Sequence, residues 1–277
     1  MHRRTPLRSR GRHRQAAAVE ALPPARPPVW LSARIRPLDT LPFAPRAFVF
    51  DVEGTLVDTA LTTLQCWSET LTEIGFVAKV ADLHPYAGMD GRRMLRRLLN
   101  RHEPKLLDHL VQLQGERYRL RYLTHTRPFT GLRRMFTLIR DGDAKIVLAA
   151  SCSTVEFAHY RSIMNVDDLI DDACCGDDAR REKPSADVIS LAARRLRVPA
   201  EATVMVGDTP YDAHAARAAG LTPIGLQSGH FSRADLIDAR CAAVFFDLQA
   251  LSHRLEEAAA DQPEIVKSHI AAAADSH

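Results

Sequence analysis

No stretch of this chain approaches the roughly 18 consecutive apolar residues that a membrane span needs. The N-terminus also lacks the apolar central region of a secretory signal. Both absences argue for a soluble, cytoplasmic protein with no membrane partner. Cysteine is sparse and odd in number. The five (Cys66, Cys152, Cys174, Cys175 and Cys241) show no metal-ligand spacing, which fits a reducing compartment better than a disulfide framework. The vicinal Cys174-Cys175 pair is expected as small apolar residues at a strand end rather than a redox couple. No internal repeat is present.

At 277 residues and 46% hydrophobic content, the chain can hold one large or two modest domains around a proper core. Its formal charge of +3 is unevenly spread. Residues 1–46 hold ten Arg against Glu20 and Asp39, a local +8 that leaves the remainder at −5. Residues 1–45 are rich in Arg, Pro and Ala and are expected to form a disordered basic arm. We favour a solvated extension over a transit peptide or a nucleic-acid-binding tail, and expect no nucleic-acid partner.

After the arm, the apolar run Ala47–Phe50 ends in Asp51 and a Gly-containing turn, the pattern of a buried parallel strand. Similar runs occupy 145–150, 202–206, 221–226 and 242–246, separated by helical patterns such as Leu132, Met135, Phe136 and Ile139. Strands alternating with helices predict an α/β fold with a parallel sheet and right-handed crossovers. From 59 to 127 the alternation stops and only helical patterns occur, broken at Gly75, Gly88, Gly91 and Pro104. The expected layout is a core at 46–58 and 128–252, a helical cap at 59–127, and a C-terminal helix and tail at 253–277.

In an open α/β sheet, ligands bind at the carboxyl ends of the strands. Four polar segments follow apolar runs or charged loops: Asp51-Val52-Glu53-Gly54-Thr55, Ser151, Lys183-Pro184, and Gly207-Asp208-Thr209-Pro210-Tyr211-Asp212. Three carboxylates, a hydroxyl and a lysine converging on one point would suit a divalent cation and a phosphate.

These segments resemble the four motifs of the haloacid dehalogenase-like superfamily. DVEGTLVDT is similar to motif I, KIVLAASCS to motif II, REKPSADV to motif III and VMVGDTPYD to motif IV, in the family's order, over about Arg46 to Leu251. The helical insertion lies where the phosphoglycolate phosphatase and β-phosphoglucomutase branch carries its cap. The resemblance implies a Rossmann-like core and a Mg²⁺-dependent phosphatase acting on a small phosphorylated metabolite, with Asp51 as the nucleophile that forms an aspartyl-phosphate. It implies Mg²⁺ held by Asp51, the backbone carbonyl of Glu53 and Asp208, with Asp212 in support. Lys183 would balance charge on the phosphoryl group, Thr55, at the hinge beside the nucleophile, would contact the substrate, and Ser151 would bind a phosphoryl oxygen.

Two departures qualify this pattern. Position 53 is Glu where most family phosphatases have Asp as general acid/base, a longer side chain like that of the enolase-phosphatase group. The motif II hydroxyl position falls at either Ala150 or Ser151. In the cap, the segment from Gly88 to Arg93 resembles the branch's substrate-contacting turn, so Arg92 or Arg93 is expected at the substrate. Alternatives to a phosphatase are a phosphosugar mutase and a catalytically silent ligand-binding protein, as a monomer or homodimer.

Overall fold

Residues Ala47–Phe50 form strand β1, every side chain of which is buried. A run of this kind, apolar on both faces, belongs in the middle of a parallel sheet. A computed structural model describes residues 41, 43–178 and 187–260. Most of the basic arm, Lys183 and the tail beyond residue 260 lie outside the described residues. The other strands are β2 (Lys145–Ala149), β3 (Asp172–Cys174), β4 (Thr203–Gly207), β5 (Thr222–Leu226) and β6 (Ala243–Phe245). They assemble in the order β3-β2-β1-β4-β5-β6, with every pair parallel. Ala47 lies opposite Lys145 on one side and Thr203 on the other.

Because successive strand residues face opposite ways, each strand feeds two cores. Phe48, Phe50, Ile146, Leu148, Val204 and Val206 face one side. There they meet helices α5 (Leu132–Asp141), α6 (Thr154–Met164) and α10 (Leu248–Ala260). The rings of Phe50 and Phe136 lie 5.0 Å apart. Ala47, Val49, Val147, Ala149 and Met205 face the other side, covered by α7 (Asp187–Leu196) and α8 (Pro210–Ala218). A short α9 (Arg233–Asp238) joins β5 to β6.

Between β1 and β2 the chain makes only helices: α1 (Ala60–Glu73), α2 (Val80–Leu83), α3 (Gly91–Leu99) and α4 (Pro104–Arg121). They surround their own apolar cluster, including Leu64, Trp67, Leu71, Met94, Leu95, Leu107 and Leu110. Asp90 starts α3 by accepting the Arg93 N–H at 2.8 Å. Buried Arg117 of α4 is compensated by ion pairs to Glu69 and Glu73 and a hydrogen bond to Thr70. The two connectors to this cap run side by side. The Asp58 N–H donates to Arg127 O at 2.9 Å, and the Phe129 N–H donates to Leu56 O at 2.9 Å.

Three particulars differ from the sequence expectations. Strand β3 has no apolar run to announce it: it is the polar, three-residue edge Asp-Ala-Cys, recruited by pairing with β2. The C-terminal helix begins at Leu248 rather than 253, because Leu248 and Leu251 are core residues packed beside α5. Leu41 and Phe43, assigned to the arm, pack against the same core. Among the described residues no helix is long and apolar enough to cross a membrane.

Truncating Phe136 to Ala should cost about 3–5 kcal/mol, because the ring is wholly buried against Phe50; urea denaturation reads this directly. All five cysteines are buried, and burial pushes the thiols of Cys66, Cys174 and Cys241 up to about 12. A thiol reagent should therefore react slowly with the native protein and modify all five only after denaturant is added.

Candidate functional site

In a sheet ordered 3-2-1-4-5-6, the chain leaves β1 and β4 in opposite directions, and the crevice between them is where ligands bind. Asp51 follows β1 and Asp208 follows β4, so the strand register brings them together. The Asp51 N–H donates to Val206 O at 3.0 Å and extends the ladder one residue past β1. Asp212 joins them from the first turn of α8, with its Oδ2 accepting the Thr209 N–H at 3.1 Å and the Thr209 hydroxyl at 2.7 Å. This reciprocal cap fixes the carboxylate's direction. Asp51, Asp208 and Asp212 are all 3% exposed or less, and carboxylate oxygens from the three lie within 4.8 Å of one another.

The loop after β1 is folded tightly. The Leu56 and Val57 N–H groups both donate to Val52 O, and the Gly54 N–H donates to Val57 O. Gly54 has φ +81°, and a Cβ there would meet Asp208 Oδ2 at 2.6 Å, so the position demands glycine twice over. Gly229, in the loop after β5, presses on Asp208 from the other side, and a Cβ there would overlap its carboxylate. The neighbouring Ser228 hydroxyl donates to Gly54 O at 2.7 Å. Three strand-end loops thus close around one carboxylate.

Above this cluster lies a cavity of about 450 Å³ between core and cap. Asp51, Glu53, Ser151, Asp208 and Asp212 line it from the core, as do Glu156 and Asp177. From the cap come Trp67, Met94, Gln112 and Arg119, with the turn Gly88-Met89-Asp90-Gly91. Tyr118 of α4 also lines it and accepts a 3.0 Å hydrogen bond from the Tyr160 hydroxyl of α6. Burial, opposed by that hydrogen bond and reinforced by the Glu53 charge, pushes the Tyr118 hydroxyl up to about 12. Burial pushes Tyr160 higher still, so both stay protonated at neutral pH.

With Asp51, Asp208 and Asp212 converging at the floor of a capped cavity, the family comparison is decisive. The profile of the haloacid dehalogenase-like hydrolase family matches residues 48–226. The chain belongs to the haloacid dehalogenase-like hydrolase family. It is 27% identical over 223 residues to a phosphoglycolate phosphatase of Agrobacterium fabrum, covering 78% of this chain and 94% of that protein. In fold it is similar to a hydrolase of Pseudomonas syringae, with a TM-score of 0.70 at 24% identity, covering 76% of this chain and 98% of that one. It is similar also to CbbY of Rhodobacter sphaeroides, crystallised with phosphate, with a TM-score of 0.62 at 20% identity, covering 74% of this chain and 95% of that one.

Against this hydrolase frame, the motif residues separate. Asp51, Glu53, Ser151, Asp208 and Asp212 face one cavity. Ala150, the other motif II position, is fully buried in the core, and its N–H donates to Cys174 O at 3.0 Å. The Ser151 hydroxyl has no hydrogen-bond partner among the described residues. Thr55, expected beside the substrate, does not line the cavity. It is wholly buried, and its hydroxyl lies 2.9 Å from both Asp51 Oδ2 and Asp208 Oδ1, where its single proton ties the two carboxylates together. Arg92 and Arg93 also lie off the cavity, because the helix that starts at Gly91 turns them away. Arg92 is exposed and paired with Asp108 at 2.5 Å.

Several lining residues carried no signal in the sequence. Arg119 is one of many arginines on cap helices, and Glu156 and Asp177 look like ordinary helix-cap acids. Ser228-Gly229, which packs on Asp208 and Gly54 without lining the cavity, did carry one, being a polar pair one residue past the apolar run of β5.

Replacing Thr55 with Val keeps the shape and removes the shared hydroxyl. Divalent-cation affinity, read by calorimetry, should fall about 10- to 100-fold, the usual loss when a residue orienting a ligand is removed.

Proposed function

We propose that this protein is a Mg²⁺-dependent phosphatase that hydrolyses a small phosphorylated metabolite through an aspartyl-phosphate on Asp51. The observation carrying this reading is the buried cluster of Asp51, Asp208 and Asp212 on the floor of a cavity that Glu53 also lines. An all-oxygen donor set of three carboxylates fits a small, hard cation. Asp51, Asp208 and Asp212 would hold Mg²⁺, with the Glu53 carbonyl as a further ligand. When bound, the ion screens the repulsion between the Asp51 carboxylate and an anionic phosphoryl group. The phosphoglycolate phosphatase relative and the fold neighbour crystallised with phosphate support the same chemistry.

The chain's own groups divide the reaction into two displacements. The Asp51 carboxylate attacks phosphorus, and the bond from phosphorus to the leaving oxygen breaks as Glu53 delivers a proton to that oxygen. Glu53, now a carboxylate, accepts a proton from a water that attacks phosphorus, which releases phosphate and restores Asp51. The Ser151 hydroxyl donates to a phosphoryl oxygen. Lys183 balances the remaining charge, as motif III implies. Glutamate reaches about one bond length further than aspartate, and the tight turn of residues 52–57 sets where that longer arm ends. The capped 450 Å³ volume suits a small metabolite rather than a protein or nucleic acid.

The test is phosphate release from a panel of small phosphomonoesters with and without Mg²⁺. Asp51→Asn should reduce Mg²⁺-dependent turnover on the order of 10³-fold or more; equal background for both proteins would remove the proposal. Glu53→Gln should lower kcat about 10²- to 10⁴-fold, the worth of one general acid/base. Glu53→Asp should retain part of the activity.

A further inference from the structure

We infer that the stacked rings of His84 and His230 form a pH-sensitive latch between cap and core, closed while both rings are neutral and released when His230 takes up a proton. The latch goes beyond the phosphatase reading and can be followed without turnover.

His84 opens a single 3₁₀ turn of the cap, His84–Tyr86, and His230 stands in the core loop between β5 and α9. Their ring centroids lie 4.6 Å apart at an interplanar angle of 16°. The residues that follow each histidine extend the same seam. Pro85 O accepts the Tyr211 hydroxyl at 3.0 Å, and Gly88 closes on the Thr209 side chain. Phe231 packs against the apolar cluster of the cap, and its ring meets that of Tyr211 edge-on at 6.3 Å.

Two features make the stack sensitive to a proton. An imidazolium donates from both ring nitrogens, yet His230 Nε2 is buried and has no hydrogen-bond partner among the described residues, so the charged ring would hold a donor with no acceptor. Once His84 is charged as well, two cations face each other across the stack. The charged groups acting on His230 are His84 from the cap and Asp58 from the first connector; Arg93 and Arg97 of α3 act on Tyr211, next along the seam. Burial, opposed by the Ala60 backbone and the Asp58 charge and reinforced by His84, holds the His230 ring below the ordinary histidine range. With the cap lifted, the ring meets water and its basicity returns to the ordinary value of 6.5. The open form therefore binds the proton more tightly than the closed form. Closure is undisturbed above that value and weakens progressively as the pH falls below it.

Trp67 lines the cavity from the cap and is 7% exposed, so its fluorescence reports closure once Trp30, the other tryptophan, is replaced by Phe. Acrylamide quenching of Trp67 should rise about two-fold or more between about pH 7.5 and about pH 5.5, the range in which histidine titrates. In His230→Gln, which takes up no proton, quenching should be the same at both pH values. His84→Phe keeps a stacked ring and removes the second charge, and the rise should move to lower pH. Far-UV circular dichroism shows that each variant is folded, and the two substitutions act from opposite sides of the seam, so either one alone tests the latch. A rise of native size and midpoint in either variant, or no rise in the native protein, would overturn the inference and leave the phosphatase reading standing, since that reading is decided by Asp51→Asn.

Discussion

Three buried carboxylates within 4.8 Å of one another are the constraint around which this molecule is built. At that separation each pair of charges repels by about 3–4 kcal/mol in a medium of effective dielectric about 20, and burial adds to the penalty. Nothing in the packing of a sheet would create such a cluster, so local devices must hold it. The Thr55 hydroxyl stands between Asp51 and Asp208, and the Thr209 cap orients Asp212. Gly54 and Gly229 let two backbones close on Asp208. Each device restrains the carboxylates in the arrangement a divalent cation would neutralise.

The sheet supplies the rigidity this requires. Strands β1 and β4 are central, paired on both sides and covered on both faces, so the ends that carry Asp51 and Asp208 cannot drift apart. The cap has its own apolar cluster and joins the core through two adjacent connectors. It also touches the core at chosen points: Gly88 against Thr209, Tyr118 with Tyr160, Arg119 with Glu156, and the Tyr211 hydroxyl donating to Pro85 O at 3.0 Å. The buried acids are thereby anchored at the ends of the central strands, and the cap meets them across the cavity.

Much of this was legible in the residues themselves. The buried runs before Asp51 and Asp208 announced central parallel strands, and the polar residues after such runs include Asp51, Glu53, Ser151, Asp208 and Asp212, which face one cavity. The helical periodicity of 59–127 marked the insertion. Less legible were β3, too short and polar to show a period, and the start of α10, where Leu248 and Leu251 belong to the core by tertiary packing alone.

What the sequence by itself determined is the order of the elements and the identity of the carboxylates, because both follow from short-range pattern: continuous apolar runs, helical spacing, and a turn after an apolar run. Only the tertiary structure decided which side chains share the cavity. It turned Ser151 rather than Ala150 into the cavity, set Thr55 between Asp51 and Asp208, and brought Arg119 rather than Arg92 or Arg93 to the cavity wall. Those choices depend on the direction in which a helix or loop presents a side chain to a partner distant in the chain, and no local spacing encodes that direction.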